Sequence, residues 1–162
     1  MKKQDYTIDY FIKKFEAIPE QDWCIDEYSK TKIEIKNAQK TFLGMKYNGT
    51  VKVPKTNFCA QGHCMGGIDN IRFISGQKKK FSIFDIAKSY PELNALINLF
   101  GQRREEGKNM VVVALINNGE DKDYQQPTAK QRVLKALYDL KEKETPKDAI
   151  KELSTPKELI LN

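Results

Sequence analysis

The stretch Thr31–Val53, TKIEIKNAQKTFLGMKYNGTVKV, decides the fold class. In it Ile33 and Ile35 alternate with Lys32, Glu34 and Lys36, and Thr50, Val51 and Val53 follow the turn dipeptide Asn48-Gly49. Alternation of β-branched residues with charges is the pattern of a strand, and an Asn-Gly pair between two such runs predicts a tight reversal. The expectation is a small antiparallel hairpin or meander in a chain that is otherwise helical.

Working outward, Ile8, Phe11, Ile12, Phe15 and Ile18 recur at helical spacing with Lys13, Lys14 and Glu16 opposite, an amphipathic helix that Pro19 ends. Cys59-Ala60-Gln61-Gly62-His63-Cys64-Met65 is rich in small residues and suits a short, closely packed helix stopped by Gly66-Gly67. Ile71-Arg72-Phe73-Ile74, followed by the polar run Ser75–Lys80, predicts a second small hairpin. Beyond it the signals are helical. Ser82 with Asp85 makes a capping box, and Phe81 with Ile86 occupies the staple positions around it. Pro91 opens a helix whose Leu93, Leu96, Ile97 and Phe100 share a face before Gly101. Met110–Ile116 contains three consecutive valines between helices and is read as helix, broken by Asn117-Asn118-Gly119. Pro127-Thr128 with Gln131 caps a long helix facing inward through Val133, Ala136, Leu137 and Leu140. Thr145-Pro146-Lys147-Asp148 and Thr155-Pro156-Lys157-Glu158 then repeat one helix-start pattern, predicting short helices over 145–162. The whole is expected to be a single mainly helical α+β domain over 1–162. Its antiparallel β element falls within residues 31–80, of which 31–58 forms a basic β-rich insertion.

With 162 residues, 40% hydrophobic and 31% charged, the chain can bury one core and is not a disordered sequence. Its net charge is +6, and residues 30–80 alone hold eleven Lys or Arg against two acids, Glu34 and Asp69. Such a balance bears on partners, not on fold, and points to nucleic acid, with RNA favoured, or to an acidic or nucleoprotein surface. No apolar stretch nears the roughly 18 residues of a membrane span, so no membrane partner is expected. The odd number of cysteines, Cys24, Cys59 and Cys64, fits a reducing cytoplasm.

Two sets of residues are candidates for function. The first is basic with interleaved aromatics: Lys40, Lys46, Lys52, Lys55, Arg72, Lys78, Lys79 and Lys80 with Phe42 and Tyr47, and with Phe58 and Phe73 nearby. Lysines attract phosphates without reading sequence, and exposed aromatics stack on unpaired bases. The second set is Cys24, Cys59, His63 and Cys64, which has the Cys₃His composition of a zinc site but no C-x₂-C pair. Its catalytic version uses Cys24 or Cys59 as the thiol, His63, the chain's one histidine, as the base, and Asn117 as the group that orients it. Glu120, Asp121 and Asp123 share the composition but not the order of a calcium loop and are read as a solvated turn. No dinucleotide, P-loop or serine-hydrolase motif is present, and no cofactor is expected.

Trp23-Cys24, Cys59-Ala60-Gln61-Gly62-His63, VALINNG at 113–119 and YQQPTAKQRVLKALYDL at 124–140 together resemble a pattern in small uncharacterised phage and bacterial proteins labelled as domains of unknown function. The resemblance implies a helical scaffold and no activity, and it leaves 25–58 as an elaboration. The resulting expectation is a non-enzymatic binding protein of phage or mobile-element type. It would engage nucleic acid or a nucleoprotein through the basic segment, as an anti-CRISPR-like inhibitor of a host defence complex would. The alternative is a cysteine/histidine enzyme or small zinc protein.

Overall fold

The computed structural model describes residues 5–77 and 82–144. The fold is α+β, and among the described residues there are six α-helices and two separate two-stranded antiparallel sheets. Helix α1 (Ile8–Ala17) starts where the Thr7 hydroxyl accepts from the Tyr10 amide, and it buries Ile8, Phe11, Ile12 and Phe15. At its far end the Lys130 ammonium donates to the Glu16 and Ile18 carbonyls at 2.9 and 2.7 Å, satisfying acceptors the helix leaves open. Lys130 belongs to α6 (Ala129–Glu144), whose Val133, Ala136 and Leu137 close the core against α1 and against α5 (Val112–Asn118). The capping role expected of Thr128 holds, since its hydroxyl accepts from the Gln131 amide.

Helix α2 (Ile68–Gln77) stands where a second hairpin was expected. Ile71 and Ile74 are three apart and both are buried, a spacing that puts them on one face of a helix but on opposite faces of a strand, and the preceding Gly66 and Gly67 at φ 75° and 122° free the chain to start it. Helix α3 (Ile83–Ala87) opens on Ser82, whose hydroxyl accepts from the Asp85 amide, and Phe81, the other half of the expected staple, lies outside the described residues. Helix α4 (Pro91–Phe100) runs as expected from Pro91 to Gly101. The valine-rich run is split. Met110 and Val111 end strand β4 (Lys108–Val111), which pairs with β3 (Gln102–Glu105) across a Glu106-Gly107 turn, and Val112 begins α5. The expected helices over 145–162 lie outside the described residues.

Strands β1 (Ser29–Phe42) and β2 (Met45–Phe58) form a hairpin of fourteen pairs, from Ser29↔Phe58 to Phe42↔Met45. The reversal is at Leu43-Gly44, with φ of 47° and 80°, as a type I′ turn requires, and not at Asn48-Gly49, which lies within β2 opposite Gln39 and Ala38. The ends of the hairpin dictate this register. Ser29 and Phe58 are both fixed to the helical body, and the midpoint between them falls at 43–44; a turn at 48–49 would leave β2 too short to return. Gly49 has another use, because the Lys40 side-chain stem lies where its Cβ would be.

Candidate nucleic-acid interface

Among the described residues, hydrogen bonds and an ion pair tie the hairpin to the body at its root. The Cys24 amide donates to the Phe58 carbonyl at 3.0 Å, the Cys59 amide to the Tyr28 carbonyl at 3.2 Å, and the Asn57 side-chain amide to the Gln21 carbonyl at 2.8 Å. Lys55 reaches Asp22 at 2.7 Å, an ion pair between the arm and the turn after α1. From the pair Ile33↔Pro54 outward both strands are edges, and the free arm is about 30 Å long. Its Ile33 and Ile35, whose alternation marked the strand, are exposed instead of facing a core.

The arm separates the charge of the molecule. Residues 29–58 carry seven lysines and Glu34, a net +6 equal to that of the whole chain, which leaves 21 basic and 21 acidic residues elsewhere. Pairing places Lys30, Lys32, Lys36, Lys40 and Lys55 on one face with Phe42, Met45 and Tyr47, and Lys46 and Lys52 on the other with Ile33 and Ile35. Glu34 neutralises part of the first face, lying 3.8 Å from Lys36 and 3.7 Å from Lys55. Among the described residues Lys30, Lys32, Lys40, Lys46 and Lys52 form no ion pair.

The sequence-based set divides accordingly. Lys40, Lys46, Lys52, Phe42 and Tyr47 are brought together on the arm. Lys55 is there too, but it serves the root. Arg72 and Phe73 sit on α2, with Arg72 3.9 Å from Asp69, and Phe58 packs at the root against His63. Lys78, Lys79 and Lys80 lie outside the described residues. Lys30, Lys32, Lys36, Leu43 and Met45 belong to the arm but were not singled out. The signal that could have found them is the near-equal distance of Leu43-Gly44 from Trp23-Cys24 and Cys59-Ala60. No known protein family, curated protein or solved structure matches this chain.

The Cys/His set builds the socket in which the arm is seated. Gly62 packs so tightly on the arm's root that a Cβ there would stand 2.0 Å from the Tyr28 carbonyl oxygen. The His63 ring lies between Trp23 and Phe58, at centroid distances of 5.1 and 5.5 Å, and its Nε2 has no hydrogen-bond partner among the described residues. Burial, with Lys14 nearby, pushes its pKa down to about 4, so the ring is neutral near pH 7. Burial pushes the Cys24 thiol up to about 12 and the Cys64 thiol well above its ordinary value, which holds both as thiols, not thiolates. Asn117, expected to orient a catalytic histidine, is buried and joins two backbone segments instead. Its Oδ1 accepts from the Ala60 amide at 3.1 Å, and its Nδ2 donates to the Cys24 carbonyl at 3.0 Å.

Among the described residues no three His, Cys, Asp or Glu side chains come together as a metal set. A cleft of about 970 Å³ opens beside the root and is lined by Cys59, Gln61 and Asn117, whereas Cys24 and His63 do not line it, so the four groups proposed for catalysis do not face one space. Asp121 is also not the solvated residue that was expected. It is buried, with Arg103 at 2.7 Å and the Asp123 amide on its other oxygen. Among the described residues no helix is long and apolar enough to cross a membrane.

Proposed function

We propose that this protein is a non-enzymatic nucleic-acid-binding protein that grips its partner with the β1–β2 arm. The observation that carries this reading is the segregation of charge: the two-stranded ribbon of residues 29–58 holds a net +6, while the rest of the sequence has 21 basic and 21 acidic residues. Lysines without ion pairs neutralise phosphates and release counterions, which gives sequence-independent affinity. The groove of B-form DNA, about 12 Å wide, admits a two-stranded ribbon, whereas the major groove of an A-form RNA duplex is too narrow for side chains to read. Ribbon geometry therefore favours duplex DNA over the RNA expected from composition. A second reading, unpaired RNA, draws on Phe42 and Tyr47, both exposed on one face of the ribbon where bases could stack. No residue of the arm favours a nucleoprotein or a host defence complex over nucleic acid alone.

The test is equilibrium binding of the full chain to duplex DNA, duplex RNA and single-stranded RNA over a salt series. Tightest binding to duplex DNA with a steep negative log–log slope is expected. Single-stranded RNA binding tightest would move the reading to base stacking, and the absence of salt-dependent binding to all three would overturn it.

A further inference from the structure

The far end of the arm is apolar. Phe42, Leu43 and Met45 are 65%, 83% and 68% exposed, and they surround the turn at the end of an arm whose free part is about 30 Å long. Nothing in the fold asks for these residues. A type I′ turn favours Asn, Asp or Gly at its first central position, where Leu43 adopts φ 47°. The chain contains an Asn-Gly pair five residues later and does not turn there. The hairpin β3–β4 has the same backbone turn with water-compatible Glu106 at the equivalent position, φ 48°. An apolar side chain held in an uncommon backbone region, fully presented to solvent and flanked by cations, marks a contact surface and not a folding requirement.

We infer that the arm tip is a wedge: Phe42, Leu43 and Met45 enter between adjacent base pairs of duplex DNA and kink it, while the lysines behind them hold the flanking phosphates. This rests on the nucleic-acid reading of the arm and extends it from adhesion to deformation. The chemistry matches on both counts. Phe, Leu and Met are side chains that proteins insert at base steps, where partial unstacking bends the duplex by about 20–90°. Charge complementarity commits the tip to a polyanion, because five arm lysines that form no ion pair among the described residues stand behind it and the arm's lone acid, Glu34, lies eight residues back along β1. Pyrimidine–purine steps, the most easily unstacked, are the expected sites of entry.

The experiment is energy transfer between the labelled ends of a duplex of about 20–30 base pairs with a central TA step, read beside affinity and salt slope for the wild type and for a Phe42→Ser, Leu43→Asn, Met45→Ser triple variant. Asn at position 43 suits the turn, and the other two side chains are outside the core, so the arm is retained. The wild type should shorten the end-to-end distance. The triple variant should lose the bend and some affinity while keeping its salt slope, because phosphate contacts are unchanged. Salt-dependent binding without bending, or equal bending by the variant, overturns the wedge and leaves the nucleic-acid reading standing. Failure of the wild type to bind DNA overturns both. Tip-dependent binding to anionic lipid vesicles with no bending of DNA would assign the tip to a lipid surface and likewise overturn the wedge.

Discussion

Neutralising Lys40, Lys46 and Lys52 together, each as Gln, tests the arm most directly. Among the described residues five arm lysines, Lys30, Lys32, Lys40, Lys46 and Lys52, are outside ion pairs, and Lys36 and Lys55 are engaged by Glu34 and Asp22. If each of the five neutralises one phosphate of B-form DNA, the slope of log affinity against log salt is about −4.5, since each contact contributes about −0.9. Removing three leaves about −1.8. The same relation makes each contact worth about eightfold at roughly 0.1 M salt, so the triple variant binds about 500-fold more weakly there, and the two proteins converge as salt rises. Fluorescence anisotropy of a labelled duplex between about 50 and 200 mM salt measures both quantities. Lys46 and Lys52 are exposed and Lys40 is half-buried with its stem against Gly49, so the three changes should cost no more than about 1 kcal/mol, and the unfolding midpoint is the control. A variant that keeps both the wild-type slope and the native midpoint would refute the assignment of phosphate contacts to the arm.

The socket makes separate predictions. Gly62→Ala forces the Tyr28 carbonyl or the 59–65 segment to move and should cost about 1–3 kcal/mol in chemical denaturation, with amide-exchange protection lost first at the arm's root; wild-type stability in this variant would contradict the close approach. His63 gives a pH dependence. Its pKa is depressed in the folded protein, so below the unfolded value of about 6.5 the unfolded chain binds the extra proton, and stability present above that pH is lost as pH falls toward about 4. The loss attributable to this ring is about 2 kcal/mol after discounting for its partial exposure, and His63→Phe, which keeps an aromatic between Trp23 and Phe58, should show a correspondingly shallower fall in urea titrations; parallel curves would remove the histidine from the account.

What could be read from sequence was the local signalling. Helix starts at Ser82, Pro91 and Thr128 are each set by one or two neighbouring residues, and they appear where side-chain spacing placed them. The failures are positions where distant anchors outweigh a local preference. Asn48-Gly49 is the better turn in isolation, but closure of both strands on Trp23 and Cys59 moves the reversal to Leu43-Gly44. Ile71 and Ile74, three apart, share a helix face and would fall on opposite faces of a strand, so their joint burial in the core goes with the helix and not with the expected hairpin. For the candidate site, composition located the lysines but not their grouping, because charge has no direction until strand register assigns faces. Chemistry-bearing residues at 59–64 misled for a related reason. Cys, His and Gly are small or flat enough to pack closely, and a seat for an arm needs that property as much as an active site does.

Beyond its root, where Trp23 bridges to Phe58, the arm's two strands have no outer neighbours among the described residues, so along most of its length each presents a row of unpaired backbone amides and carbonyls to water. Such edges readily pair with another copy of themselves, and lysines are a common means of preventing it. The cations of this arm therefore govern solubility as well as attraction. Screening them with salt weakens mutual repulsion between arms at the same time as it weakens grip on a polyanion, so concentrated protein should associate edge to edge under the conditions that release its partner.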